Sequence, residues 1–476
     1  MEMNQLEVKE KLLILRKELE NPRMTQQRVI EIKQNTLDIA KELDEYCKMT
    51  NFFVGIVEEA YRNPPTKLYK KNPYYVHPLR GDELNLFDPD KNVSYDECEI
   101  VFYLAYKDNE VAGRICGIVQ TVYNKKTNSK RVRFTRFDFI EDLEVARALL
   151  EAVEKWAKSK GMNTVHGPLG FNDLDREGLL IEGYDKLATF EENYNYPYYK
   201  DFLEACGYTK EIDYLAFNIN LPKETDPRIK RISNLMMKKY DLRIATAKNK
   251  KEYLAKYKDG IFDLIDETYG DLYGVIPYND KLRKQIIDQF NLIINMKYMI
   301  TIIDKDEKVI AFGFALPSLA KAVQKSRGKL LPFGVFRILH AKNHSNVADF
   351  GLVGVRKQFQ GKGITAIILD YIISGAKEFG VTSVETNHSL ETNHKILQTW
   401  KNFDDVTNHK RFRCFIKTLE NSKEKNKTSK NSTKSNNKST KKTSTKKSAS
   451  KSASKKQINK KAVNGKKNVS KTTKSK

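Results

Sequence analysis

No run of eighteen or more apolar residues occurs in this chain, so nothing in it reads as a membrane-spanning helix. The first residues, MEMNQLEVKEKLLILRKELE, mix charge with apolar side chains and lack the basic-then-apolar order of a secretory signal. Cysteine is scarce. Cys47, Cys98, Cys116, Cys206 and Cys414 are odd in number, far apart and without CxxC spacing. That pattern argues against a disulfide framework or a zinc site, and for reduced thiols inside a cell. Acid is nearly absent from the C-terminal end. Residues Asn421 to Lys476 hold 20 Lys, one acid (Glu424) and no Phe, Tyr or Trp, which is +19 of the formal net charge of +24. The preceding 420 residues, with 65 basic and 60 acidic side chains, are close to neutral.

What is present is an α/β body. Residues 1–48 carry apolar side chains at helical spacing (Leu12, Leu13, Leu15, Leu19, then Val29, Ile32, Leu37, Ile39), broken near Pro22, and predict a helical extension. Mixed α/β patterning runs from Asn51 to about Glu420. Residues 421–476 cannot bury enough apolar surface to offset backbone ordering, so disorder is expected there. Within the body two halves, 51–222 and 240–419, follow each other in register. A shift of 198 residues places Asp108 on Asp306 and Val111 on Val309, each in a two-stranded hairpin. A shift of 219 places Leu149 on Ile368, Leu150 on Leu369, Val153 on Ile372 and Ala157 on Ala376, one apolar helix stripe. The same shift sets Gly161 on Gly380, where each helix requires a left-handed cap. The second half alone contains SLAKAVQKSRGKLLPFGVFRILHAKNHSN, where Lys321, Lys325, Arg327, Lys329 and Arg337 among Leu330, Leu331, Phe333 and Phe336 suit a membrane surface or a cover over an acyl chain; a lid over the site described next is the preferred expectation.

That site is the run VADFGLVGV-RKQFQGKG-ITAIILDYIISGAKEFG. An apolar strand enters Gln360, Gly361, Lys362 and Gly363 and then an amphipathic helix, so free backbone N–H groups and the positive helix end meet an anion. Glycine here lets a pyrophosphate approach the backbone. The loop matches neither GxGxxG nor a GK[ST] P-loop. In the first half Glu141, Asp142 and Glu144 occupy the matching helix end, and carboxylates there would repel a pyrophosphate.

The run V-R-K-Q-F-Q-G-K-G-I resembles the acetyl-CoA loop of the GNAT acetyltransferases, [Q/R]-x-x-G-x-[G/A], with Gln360 and Gly363 in place and Thr365 replacing the last Gly or Ala. Asn393, Ile396 and Trp400 fall where that family often shows N-x-x-A-x-x-x-Y, and the Trp cannot act as the acid that the Tyr supplies. Segments such as LYKKNPYYVHPL and GPLGFNDLDREGLLIEGYD are similar to bacterial tandem GNAT-like proteins. The fold implied is α/β, with two tandem GNAT-like domains, each a mixed central sheet with flanking helices.

The resemblance further implies acetyl-CoA, or another acyl-CoA, as co-substrate, with no metal. Val355, Gln360, Gly361, Lys362, Gly363, Ile364, Thr365 and Asn393 would bind it. An amine, on a small molecule or a protein, would attack the thioester directly, with the N–H of Val353 or Val355 stabilising the oxyanion and Asp349 or Glu385 as candidate base. Two other readings stand beside this one. The first is a CoA-binding or polyanion-binding protein without turnover, acting through the tail; the second is aminoacyl transfer from tRNA. The tail can neutralise phosphates without stacking on bases, so any nucleic-acid binding through 421–476 would be non-specific and salt-sensitive. The localisation expected is cytoplasmic, with association to the nucleoid if the tail meets DNA.

Overall fold

A computed structural model describes residues 62 and 64–419, apart from 109, 225, 291–293, 379 and 402. The helical extension, Cys47, the start of the first half at 51 and the lysine-rich tail lie outside the described residues. Cys98, Cys116, Cys206 and Cys414 are free thiols.

The strands are β1 (Cys98–Lys107), β2 (Glu110–Gln120), β3 (Arg131–Phe139), β4 (Thr164–Gly167), β5 (Leu179–Glu182), β6 (Thr209–Asn220), β7 (Arg243–Ile244), β8 (Met299–Ile303), β9 (Val309–Pro317), β10 (Val347–Val355), β11 (Ser383–Thr386), β12 (Ser389–Leu390) and β13 (Val406–Thr418). Both hairpins form, with the second turn one residue out of step with the shift that set Asp108 on Asp306. β1 and β2 are antiparallel around Asp108 at φ +52°, and β8 and β9 around Glu307 at φ +60°. Each hairpin continues through an antiparallel third strand, then a helix, then a parallel strand: β3, Leu143–Ser159 and β4 in the first half, β10, Thr365–Glu378 and β11 in the second. Gly161 and Gly380 stand at φ +72° and +69° after their helices. A Cβ there would carry the left-handed penalty of about 1–2 kcal/mol.

Periodicity explains the layers. Ala311 and Phe312, neighbours on β9, fall in different apolar clusters, as opposite faces of a strand must. Ala311 packs with Ile364, Ile367 and Ile368 of the helix Thr365–Glu378 and the turn before it. Phe312 packs with Phe262 and Ile265 of the helix Lys250–Tyr269. Each such side chain contributes about 1.5–3 kcal/mol when fully buried.

The closing strands, however, are exchanged. The sheet runs β1, β2, β3, β4, β13, β6, β11, β10, β9, β8, β7. The last strand of the chain, β13, pairs with β4 from Phe415 against Gly167 to Thr418 against Thr164. The last strand of the first half, β6, pairs with β11 from Ser383 against Asn220 to Glu385 against Asn218. Between them β6 and β13 form a long antiparallel ladder, Val406 against Ile219 to Ile416 against Thr209. Neither half can satisfy its central backbone groups without a strand from the other. A chain ending at Asp405 should therefore lose the cooperative thermal transition of the whole body, not of the second half alone. A transition as sharp as that of the full chain, followed by circular dichroism, would contradict this.

Candidate active site

The loop after β10 spends the N–H groups of Phe359, Gln360 and Lys362 on its own turns and leaves four others between Gly361 and Thr365 without a backbone acceptor. Gln360 is extended, Gly361 and Gly363 have φ of +72° and +82°, and the helix begins at Thr365. The N–H groups of Gly361, Gly363, Ile364 and Thr365 donate to no other backbone group among the described residues. A Cβ on Gly361 would meet open space, so an anion can come against this peptide from outside. Gly363 is closer packed, with Ile232 and Met236 beside it. The Gln360 amide donates to the Val355 carbonyl at 3.0 Å and accepts from Lys395 at 2.8 Å, which fixes the loop on its strand. Lys362 lies over the rings of Phe359 and Tyr240 at 5.7 and 5.9 Å. At the matching end of the first half, Asp142 accepts from the N–H groups of Glu144 and Val145 and pairs with Lys107 at 2.6 Å. That helix end is closed by its own carboxylate.

Below the loop, β10 and β11 part. Their parallel pairing covers only Val347–Phe350 against Ser383–Thr386, and Asn387 N–H still reaches Phe350 O at 2.9 Å. Further along, β10 keeps β9 on one side and turns alternate peptide groups towards the gap. Val353 is one of these: its N–H donates to the Tyr269 hydroxyl at 3.1 Å, and that hydroxyl donates to the Val353 carbonyl at 2.9 Å. Alternation turns the Val355 N–H to the same side. The two peptide donors singled out from the sequence thus face the gap, and Tyr269 occupies one of them. Burial pushes the Tyr269 hydroxyl up to about 12, so it is neutral and able to donate.

Asp349 and Glu385 are register partners across the paired stretch, so their side chains lie next to each other on one face. Their environments differ. Glu385 accepts from Lys410 and, at 3.0 Å, interacts with His409 Nε2. Burial opposes its ionisation, but Lys410 and His409 hold it below the ordinary carboxylate range. Lys410 also bonds Glu192 at 2.6 Å; its charge is 2% exposed, and the two carboxylates lift it to about 12 against the desolvation. Asp349 has no such cation. Both its oxygens are shielded and make no direct ion pair; burial, then the charge of Glu385, raises it well above the usual range, and the Ser318 hydroxyl and the more distant Lys410 offset this only in part. Two adjacent carboxyls pushed apart in this way have the form of a charged structural acid and a neutral proton carrier. His388 beside them is neutral: burial and then the charge of Lys410 hold it down to about 3, and its ring packs on Phe412 at 4.1 Å.

These groups form one end of a cavity of about 280 Å³. Its walls are largely apolar, with Ile261, Phe262, Ile265, Leu272, Ile286, Ile287, Met299, Phe312 and Phe314. Val353, Asp349, Glu385, Asn393 and Trp400 line it, as do Asp173, Asp175 and Glu177 from the acidic loop of the first half. Asp173 accepts from Tyr278 at 2.8 Å, Asp173 Oδ1 and Glu177 Oε1 make no hydrogen bond among the described residues, and Glu192 Oε1 and His388 Nε2 face each other at 3.8 Å. Buried polar atoms left unpaired in an apolar pocket mark the place of a polar ligand group, and acids at that place favour a cation. Among the described residues no group of three or more His, Cys, Asp and Glu has metal-holding geometry.

The sequence thus placed Asp349, Glu385, Val353 and Asn393 around one cavity and Gln360 to Thr365 on one loop, and it missed Tyr269, Lys410, Glu192 and His388. Lys410 had a signal. On β13 it shares a face with Phe412 and Cys414, both buried, so the strand period points its amine inward. Tyr269 and Glu192 had none, because their partners lie far away in sequence. The segment expected to cover the loop, 318–346, does not do so. Its two helices flank a different cavity, considered below.

No family model matches this chain. It is 27% identical over 339 residues to Protein YghO of Escherichia coli (strain K12), covering 69% of this chain and 85% of that one. It is 22% identical over 373 residues to a protein named bacterial ceramide synthase from Caulobacter vibrioides (strain NA1000 / CB15N), covering 75% and 93%. Solved structures that align with it include GNAT N-acetyltransferases. They include a tandem GNAT protein from the clavulanic acid biosynthesis pathway, at TM-score 0.44 and 11% identity over 78% of this chain and 96% of that one. A GCN5-related N-acetyltransferase from Sphaerobacter thermophilus aligns at TM-score 0.39 and 12% identity over 68% and 81%.

Burial and the charge of Glu385 raise Asp349 in the native fold above the value of about 3.9 that it has in the unfolded chain. This contribution to stability is fully present below that pH and is lost as the pH rises through the raised native value. Asp349→Asn should therefore gain in melting temperature over wild type as the pH is taken from ~4 to ~8. A difference that does not change with pH would show that Asp349 is ionised in the native state.

Proposed function

We propose that this protein is an acyl-CoA-dependent N-acyltransferase whose acceptor is an amine carrying a long apolar chain. The observation that carries the reading is the cavity itself, largely apolar along its walls and lined by the buried Asp349 carboxyl beside Glu385. The free N–H groups at Gly361, Gly363, Ile364 and Thr365 fit a pyrophosphate. The distant relative named a bacterial ceramide synthase supports the same direction, since a ceramide is the amide of a fatty acyl group and a long-chain amino alcohol. An acetyl group alone would leave most of these apolar walls without a partner.

Acyl-CoA supplies the activated thioester. Gly361, Gly363, Ile364 and Thr365 hold its pyrophosphate through their N–H groups, with Gln360 fixing the loop and Lys362 adding charge. Val355 and Val353 offer peptide donors along the gap between β10 and β11. An incoming ammonium meets Asp349 and Glu385; its charge lowers the raised Asp349, which releases its own proton to solvent and, now a carboxylate, takes one from the ammonium as general base, leaving the neutral amine to attack. Glu385, held ionised by Lys410, keeps the negative field that orients the ammonium. Once the Tyr269 hydroxyl gives up the Val353 N–H, that N–H stabilises the developing oxyanion, and Tyr269 donates its proton to the leaving thiolate in place of Trp400.

Thiol release from acyl-CoA, measured with a long-chain primary amine, should rise as the acyl chain is lengthened from acetyl. Asp349→Asn should lower kcat by about 10²-fold or more with little change in the KM for acyl-CoA, and Tyr269→Phe should lower kcat while retaining binding. No thiol release with any chain length, or a preference for acetyl-CoA and a short amine, would overturn the reading.

A further inference from the structure

A second cavity of about 760 Å³ lies beside the first, and Glu385 lines both. Its outer wall is the segment 318–346, folded as two helices, Ala320–Ser326 and Gly334–His344. This segment has an unusual surface. From Ser318 to Ala348 there is no acidic residue, while Lys321, Lys325, Arg327, Lys329, Arg337 and Lys342 are all basic. In its centre Leu331, Phe333 and Phe336 are 78%, 65% and 67% exposed, and Leu339 is 40% exposed. Half of the exposed large apolar side chains among the described residues fall in this short stretch.

The exposure is held in place by the fold. Leu319, Val323 and Ile338 are buried in the central core, Gln324 donates to the carbonyls of Pro73 and Tyr75 at 2.9 and 3.0 Å, and Arg80 N–H bonds Gly328 O at 2.9 Å. The inner faces of the helices anchor, and the outer apolar residues stay in water. Exposed Phe and Leu ringed by Lys and Arg, with no acid between them, complement the interface of an anionic bilayer.

We propose that the segment 318–346 docks the protein on an anionic phospholipid membrane, with Leu331, Phe333 and Phe336 inserted at the interface and the second cavity opening towards the lipid. Phe333, Phe336 and His340 line the mouth of that cavity, and His409 and Glu385 lie in it as well. A membrane-borne amine would thus reach Glu385 without crossing water. That route rests on the acyltransferase reading; the docking does not.

The test uses the full chain and vesicles of phosphatidylcholine with and without phosphatidylglycerol, read by co-sedimentation. Wild type should bind the anionic vesicles. Phe333→Ser combined with Phe336→Ser should reduce partitioning by about tenfold or more with an unchanged melting temperature, since both side chains are exposed. Attraction by the lysine-rich tail alone is separated by Phe336→Trp, whose new indole should shift to the blue on binding and be quenched by bromines on the acyl chains. Undiminished binding of the double variant, an indole that is not quenched, or a wild-type dimer that the double variant converts to monomer would each overturn the proposal, the last by assigning this face to a second copy. Vesicle binding requires no turnover, so its failure leaves the acyltransferase reading standing and inactivity leaves the docking standing.

Discussion

Parallel pairing between β10 and β11 stops after Phe350 and Thr386, and the chemistry of this protein depends on that stop. A parallel ladder continued to Val355 would consume the peptide groups of Val353 and Val355 and leave no room between the strands. Because it ends, those groups face a gap, and the gap opens into the cavity that Asp349, Glu385 and Tyr269 line together. The loop from Gln360 to Gly363 lies at the end of the same strand. One interruption in one ladder therefore lines up an anion cradle, peptide donors and a pair of carboxyls.

The electrostatics follow from how cations are allotted among buried acids. A single Lys410 serves Glu192 and Glu385 and leaves Asp349 none. In a region of low effective dielectric the unserved acid keeps its proton until a positive charge arrives. An amine substrate brings that charge, so binding itself would prepare the base. Removing Lys410 would cost up to about 3–5 kcal/mol, because it would leave Glu385 only His409, and Glu192 only the Thr189 N–H and the neutral His388, as compensation for burial. The exchanged strands hold this arrangement together: Lys410 comes from β13, Glu385 from β11, and β6 runs between them.

Much of this was legible in the sequence where the signal is local. The hairpins, the two helix stripes and the left-handed glycines at Gly161 and Gly380 follow from period and cap chemistry, and the loop at Gln360 to Thr365 follows from glycine spacing before a helix. The exchange of β6 and β13 was not legible, since both strands carry the same alternating pattern and either sheet would accept them. Tyr269 was hidden for a different reason. Its function lies in a hydroxyl meeting a peptide group on a distant strand, and an aromatic near a helix end reads as packing. The segment 318–346 misled because basic and apolar residues together suit a lid over phosphates as well as a surface, and only the exposure of Leu331, Phe333 and Phe336 separates the two.

The most direct test of the account is calorimetry of CoA and of a long-chain acyl-CoA against the wild-type chain and Gly361→Glu. This substitution places a carboxylate in the open space before the cradle without meeting a neighbouring side chain, and Gly361→Ala, which carries the same left-handed strain at φ +72° without the charge, is its control. The account predicts that wild type binds both ligands, the acyl form more tightly because its chain enters the cavity, and that Gly361→Glu loses both. Equal binding by the two proteins would remove CoA from this loop, and equal affinity for CoA and acyl-CoA would remove the chain from the cavity.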